Sequence, residues 1–173
     1  MESERLFYRI LTKTDFANLC KILQDDEAMY AYEGKFSDEE VGQWLDKMLW
    51  RYENENGHGL YAVILKENNE FIGQCGLTLQ DYNGKKVLEI GYLFRKEYWH
   101  NGYATEAAKA WKRYAFDTLG ANEVYSIIRE SNIASQRVAE RNGMVRIDSF
   151  VKHYRGVDMP HYVYVSLRNS TYD

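Results

Sequence analysis

Cysteine is scarce in this chain. The 173 residues include two, Cys20 and Cys75, with no paired spacing. That argues against a disulfide framework, and both read as small buried side chains in a reducing compartment. Long apolar runs are also missing. The opening MESERLFYRI is charged and does not read as a secretory signal. No segment is long and apolar enough to span a bilayer, so the expected location is the cytoplasm and no membrane partner is expected. A basic excess is absent too: 22 Lys and Arg stand against 26 Asp and Glu, for a formal charge of -4. A nucleic-acid binder would usually show a basic face, so nucleic acid is not an expected partner. The four histidines, His58, His100, His153 and His161, lack metal-ligand spacing, and no metal is expected. His58, His153 and His161 read as surface or loop residues. No Ser–His–Asp or Cys–His arrangement, internal repeat, low-complexity tract or linker is visible.

What is present suits a single domain over residues 1–173. A chain of this length buries roughly 70% of its unfolded surface and needs no staples. Its 45% hydrophobic and 28% charged residues are ordinary for a soluble protein. Tyrosine is abundant, at 15 residues, and can line a pocket or complete a core.

Taken in order, residues 6–11 alternate loosely and predict a first strand. Thr14-Asp15 can cap a short helix reaching Leu23. Ser37-Asp38-Glu39-Glu40 has the form of a capping box and opens a second helix carrying Val41, Trp44, Leu45, Met48, Leu49 and Tyr52. Strands follow at 60–65, 71–79 and 87–94, the last two joined by Asn83-Gly84, a strong hairpin signal. After a central helix come a strand at 123–129, a helix at 133–142 closed by Gly143, and a last hairpin of 145–152 and 162–167. The turn of that hairpin is expected to be long, containing Gly156 and Pro160. A strand–helix–strand crossover makes 123–129 parallel to 87–94. The order predicts an α+β fold: a mixed, mostly antiparallel sheet of about seven strands with helices on both faces.

The stretch from Val87 to Ala115 organises the chain. A buried strand runs into a short loop, then into a helix with Ala104, Ala107, Ala108, Trp111 and Ala115 on one face. Gly120 falls where a left-handed cap would end that helix. The first-turn amides of the helix have no partner within it and point outward with the positive end of the dipole. Gly102 and Ala104 leave them uncovered, and the Thr105 hydroxyl can add a donor. This suits a phosphate seat, yet a single Gly also serves an ordinary turn. Glu89, in an apolar strand, reads either as a partly buried general base or as a carboxylate paired with Lys85. Asn132 and Ser135 suit a helix cap. The segment 25–33 is acidic and aromatic. It reads either as a solvated loop or as a substrate lip in which Tyr30, Tyr32 and Trp44 meet a cationic amine.

Trp99-His100-Asn101-Gly102-Tyr103-Ala104-Thr105-Glu106-Ala107 resembles the acyl-CoA pyrophosphate loop of the GNAT N-acetyltransferases. It is similar in particular to the branch that acetylates the N-termini of ribosomal proteins. Gly102 and Ala104 match the superfamily pattern Gln/Arg-x-x-Gly-x-Gly/Ala, while Trp99 stands where Gln or Arg would be. Asn132-Ile133-Ala134-Ser135 and Val138-Ala139-Glu140-Arg141-Asn142-Gly143-Met144 also resemble that branch, and the likeness spans residues 4–165.

The resemblance implies a GNAT fold with a splayed parallel strand pair and a bulge near Gly91. It implies acetyl-CoA as cosubstrate, its diphosphate held at His100, Asn101, Gly102, Tyr103, Ala104 and Thr105. The pantetheine arm would lie along Tyr92, Leu93 and Phe94, with Asn132 bonding it and a backbone N–H near Leu93 polarising the acetyl carbonyl. It favours Glu89 as base and sets Ser135 near the thiol or the coenzyme phosphates; Ala139 stands where many members carry a Tyr acid, so either Ser135 with water protonates the thiolate or it leaves without a dedicated acid. The implied acceptor is a protein or peptide N-terminal α-amine. Polyamines, aminoglycosides, a non-catalytic acyl-CoA sensor, and a homodimer through the last hairpin remain open.

Overall fold

Alternating and fully apolar strands dominate the chain, and in the computed structural model, which describes residues 1–168, they form one seven-stranded sheet. The strands are β1 (Leu6–Arg9), β2 (Gly59–Leu65), β3 (Glu70–Tyr82), β4 (Lys85–Phe94), β5 (Glu123–Arg129), β6 (Val145–Tyr154) and β7 (Val157–Leu167), arranged β1-β2-β3-β4-β5-β7-β6. The helices are α1 (Phe16–Leu23), α2 (Asp38–Asn54), α3 (Tyr103–Asp117) and α4 (Ile133–Arg141). Each strand pair is antiparallel except β4 with β5.

The apolar faces explain the layering. Leu19, Ile22, Leu23, Val41, Leu45 and Met48 of α1 and α2 pack with Leu60, Ala62 and Ile64 on one side of the sheet. Ala107, Ala108, Trp111, Ala115 and Val138 of α3 and α4 pack with Ile72, Ile90 and Ile128 on the other. Trp111 is the largest anchor, 4.8 Å from the Tyr61 ring and edge-on to Tyr8 at 5.8 Å.

Local signals act as expected at two places. Ser37 and Glu40 close the capping box of α2: Glu40 N–H donates to Ser37 Oγ at 3.2 Å, and Ser37 N–H to Glu40 Oε2 at 2.8 Å. Asn83 and Gly84 take φ of 48° and 73°, the two positive values a twisted two-residue hairpin turn needs.

Two expectations are corrected. Asp15 does not cap α1 with its side chain; it turns back to pair with Arg9 at 2.7 Å and to accept Thr12 N–H at 2.9 Å. The last hairpin has no long turn. Arg155 and Gly156 make a tight one, with φ of 49° and 73°, and Pro160 lies inside β7. Proline is tolerated there because β5 ends opposite His161, so no ladder on that side asks Pro160 for an N–H. Its carbonyl still accepts Glu130 N–H at 2.9 Å.

Candidate active site

The pairing of β4 with β5 is almost absent: only Glu89 and Tyr125 are matched before the strands part. Ser126 Oγ donates to Ile90 O at 3.2 Å, and Ile127 N–H turns to Glu89 Oε1 at 3.1 Å instead of to a strand carbonyl. The Glu89 carboxyl therefore sits in the crotch of a fork. Thr78 Oγ1 approaches its other oxygen at 3.4 Å. Burial raises the Glu89 pKa; Lys152, the Ile127 N–H, Thr78 and Arg51 offset part of that rise. It is not tied to Lys85, so the competing surface ion pair is set aside.

The fork opens without a bulge in β4. Its register with β3 runs unbroken from Tyr82↔Lys85 to Gly73↔Phe94. Amides in an antiparallel pair face alternately toward and away from the partner. Arg95 N–H bonds to Ile72 O at 2.9 Å, so Leu93, two residues earlier, also points its N–H at β3. The amides on the open edge belong to Tyr92 and Phe94. Of the amides near Leu93, the one facing the open edge on the Glu89 side is that of Tyr92. Trp99 Nε1–H takes the Phe94 carbonyl at 3.0 Å, which gives the unusual Trp99 a role in fastening the loop to the strand end.

At that loop, His100 and Gly102 adopt φ of 62° and 79°. Left-handed residues flanking Asn101 gather successive N–H groups into an anion-binding concavity. Among the described residues, no acceptor takes the N–H of His100, Asn101, Gly102, Tyr103, Ala104 or Thr105; the first bonded amide is Glu106, to Gly102 O at 3.0 Å. Arg5 braces the loop from behind, through Asn101 O at 3.0 Å and Glu106 Oε2 at 2.7 Å, and lies over the Tyr103 ring at 4.4 Å. The Asn101 side chain folds onto Tyr98 O and Trp99 O, so of the expected loop residues it alone contributes no cleft wall.

One cleft of about 930 Å³ joins this loop to Glu89. Its walls include Tyr92, Leu93, Phe94, His100, Gly102, Tyr103, Ala104, Thr105, Asn132 and Ser135, and at the far end Tyr30, Tyr32 and Trp44. Asn132 caps α4: its Oδ1 accepts Ser135 N–H at 3.1 Å, leaving only the amide nitrogen for a ligand. Tyr92 Oη donates to Ser135 O at 2.9 Å and fixes the first turn of α4 against the fork. The Ser135 hydroxyl has no partner among the described residues.

Tyr30, Tyr32 and Trp44 gather at one end of the cleft. Tyr32 meets Trp44 edge-on at 5.9 Å and Tyr154 at 6.5 Å, and Trp44 Nε1–H donates to Gln74 Oε1 at 3.1 Å. Three of the four acids of residues 25–33 are held in ion pairs. Asp26 pairs with Lys35, Glu27 with Lys96, and Glu33 with Arg129 at 2.5 Å. Arg129 also donates to Tyr30 O at 3.1 Å, tying the lip to the end of β5. His161 is corrected from surface to interior: it is buried, lines the cleft, and its Nδ1 lies 2.8 Å from Met159 O.

Sequence reasoning missed six Lys and Arg residues that line the cleft, Arg129 beside the lip among them. Arg137 and Arg141 sit one turn apart on α4, a spacing that was readable. Lys47 and Arg51 repeat that spacing on α2, one turn after Trp44. Lys152 enters only through the register of β6, which the sequence did not reveal. Among the described residues no group of His, Cys, Asp and Glu has metal-binding geometry. No helix among them is long and apolar enough to cross a membrane.

A family described as "Acetyltransferase (GNAT) domain" matches residues 5–145. The chain belongs to the GNAT acetyltransferase family. The uncharacterised YkkB of Bacillus subtilis is 36% identical over 145 residues, covering 82% of this chain and 83% of that protein. The uncharacterised N-acetyltransferase YnaD of the same species is 29% identical over 151 residues, covering 87% and 85%. The crystal structure of a GNAT-family acetyltransferase from Bacillus anthracis superposes with a TM-score of 0.82 at 26% identity, covering 98% of this chain and 99% of that one. The GNAT fold and an acetyl-CoA-dependent N-acetyltransferase activity follow from this membership.

Proposed function

We propose that the enzyme passes the acetyl group of acetyl-CoA directly to an α-amine, foremost the N-terminal amine of a peptide, with Glu89 as general base. The observation that carries this reading is the position of Glu89: a partly buried carboxyl at the fork where the two strands separate, facing the aromatic end of the cleft.

In this reading the diphosphate seats on the amides of residues 100–105, with Thr105 Oγ1, Arg137 and Arg141 around it. The pantetheine amides pair with the open edge at Tyr92 and Phe94, as an added strand would. That places the thioester at the fork. Glu89 takes one proton from the bound ammonium. The freed lone pair attacks the thioester carbon, and the oxyanion is met by the Tyr92 N–H. The C–S bond then breaks, the sulfur leaves as thiolate within reach of the Ser135 hydroxyl, and the remaining ammonium-derived proton ends on the thiol. An α-amine suits this base better than an alkylamine, because its ordinary pKa, about 8, lies closer to that of a raised carboxylate.

The test is a thiol-release screen of the purified chain with acetyl-CoA against peptides, amino acids, polyamines and aminoglycosides. Turnover of α-amines that disappears on N-terminal blocking supports the reading. Turnover confined to amines without an α-amino group would overturn it, and tight coenzyme binding with no turnover of any amine would favour a sensor.

A further inference from the structure

The acceptor end of the cleft is cationic. Lys47 and Arg51 project from the Trp44 face of α2, and Lys152 enters from β6 opposite them. Against these three stand two cleft acids: Glu27, which pairs with Lys96, and Glu89, which must itself receive the amine. Arg51 is 7% exposed, and its Nε and Nη1 carry no hydrogen bond among the described residues. Its single counter-charge, Glu55 Oε2, lies 3.3 Å away. Lys47 and Lys152 make no ion pair among the described residues; Lys152 rests 5.9 Å over the Phe150 ring. Burial and the Arg51 charge lower the Lys47 pKa, and Glu55 offsets part of that. Of the four acids of the nearby lip, Asp26, Glu27 and Glu33 pair with Lys35, Lys96 and Arg129, and Asp25 accepts Ala28 N–H at 2.8 Å.

A buried guanidinium with unmade hydrogen bonds is costly unless an anion arrives to take them. An ammonium alone, brought to Glu89, would meet Lys152 and Arg51 as like charges. A polyamine would meet them repeatedly. The same molecule carrying a negative group would cancel that repulsion.

We infer that the acceptor is a zwitterion: an α-amine with a carboxylate a few bonds away, the amine at Glu89 and the carboxylate on Lys47, Arg51 and Lys152. This rests on the transfer reading above and narrows it. The carboxylate belongs either to a free amino acid or to an acidic residue near the start of a peptide.

The experiment compares matched pairs in the thiol-release assay: aspartate with aspartic diamide, glycine with glycinamide, and Ser-Asp-Gly-amide with Ser-Asn-Gly-amide, with spermidine alongside. The carboxylate member should lead in kcat/KM by about tenfold or more, the scale of a charge-assisted hydrogen bond. Which pair shows the gap identifies the source. Lys152→Met and Lys47→Met should shrink that ratio toward one through KM, and Lys152→Arg should restore most of it. Equal rates within every pair, or preference for spermidine, would overturn the inference while leaving acetyl transfer standing. If no amine is turned over, the transfer reading itself fails. The anion seat is then judged by calorimetry of aspartate and glutamate on the coenzyme-loaded chain: binding weakened by Lys152→Met supports it, and no binding overturns it.

Discussion

Replacing Glu89 with Gln separates chemistry from architecture. Glutamine keeps the size of the side chain and an oxygen that can accept Ile127 N–H, now received at 3.1 Å. Its amide can donate to Thr78 Oγ1 once that hydroxyl rotates. What it loses is the proton site. General-base catalysis contributes about 10²–10⁴ in rate. At about 1.4 kcal/mol per tenfold, Glu89→Gln should raise the barrier by about 3–5 kcal/mol, with little change in coenzyme affinity. The pH profile supplies a second readout. Burial raises the Glu89 pKa in the folded state. Wild-type kcat/KM should therefore climb through a pKa above the ordinary carboxylate range, and the variant should lose that limb. Stability should move the other way. A folded pKa above the unfolded one means the native state holds its proton more tightly. That contribution is fully present below the unfolded pKa and is lost as pH rises through the folded pKa. At pH 8 the charge is buried at a cost, about 1.4 kcal/mol per unit of upward shift, and Glu89→Gln should unfold at a higher temperature than wild type. Stopped-flow thiol release from pH 5 to 9 and thermal melts at pH 5 and 8 measure both. An unchanged kcat and unchanged pH profile would refute the assignment of Glu89 as base.

Three further outcomes follow from the same geometry. Gly102→Val forces a β-branched residue to φ 79° and sets a Cβ 3.5 Å from Arg5 Nη2. Strain of about 1–2 kcal/mol should distort the amide cradle and weaken coenzyme A binding about tenfold or more by calorimetry, with a smaller loss in Tm. Ser135→Ala removes the hydroxyl nearest the proposed path of the sulfur; kcat should fall by about tenfold with KM for the amine little changed, and an unaltered kcat would remove Ser135 from the mechanism. Trp111→Ala empties the site among Tyr8, Tyr61 and Tyr114. It should cost about 3–5 kcal/mol in urea denaturation, a loss well beyond that of an exposed change such as Trp50→Ala.

The fold was legible because its signals are local. The Ser37–Glu40 box, the Asn83-Gly84 turn and the apolar face of α3 each depend on residues within one or two turns of one another, and strand–helix–strand connectivity then fixes the parallel pair. The misreadings share the opposite property. Asp15 suits a cap by sequence, but Arg9 outcompetes the helix end for its carboxyl. Pro160 suggested a long turn because nothing local tells that β5 stops beside it. The direction of the Leu93 amide is a register fact, decided by which residue of β3 it faces. The acids of residues 25–33 read as a solvated loop or a lip drawing a cation, and the partners of Glu27 and Glu33, distant in sequence, were not visible to either reading. The cleft-lining residues of the 100–105 loop were readable; Lys152 was not, because a one-residue slip of β6 would send it to the opposite face.

The fork itself joins fold and chemistry. A parallel pair carried on past Glu89 would have satisfied Ile127 N–H with a strand carbonyl and left no room for a ligand. Here the glutamate side chain takes that amide, and the Ser126 hydroxyl takes Ile90 O in its place. Each substitution supplies a hydrogen bond where a buried group would otherwise go without, so the separation of the strands becomes tolerable in the native state. The residue that ends the pairing is then the residue left at the apex of the cleft, held by the amide it has captured. Beyond it, the Tyr92 and Phe94 amides face an edge with no strand to pair them, which is the surface an extended chain of amides such as pantetheine can use. The proposed base and the proposed cofactor edge are thus two consequences of one interrupted ladder, and a change that restored pairing between β4 and β5 would remove both.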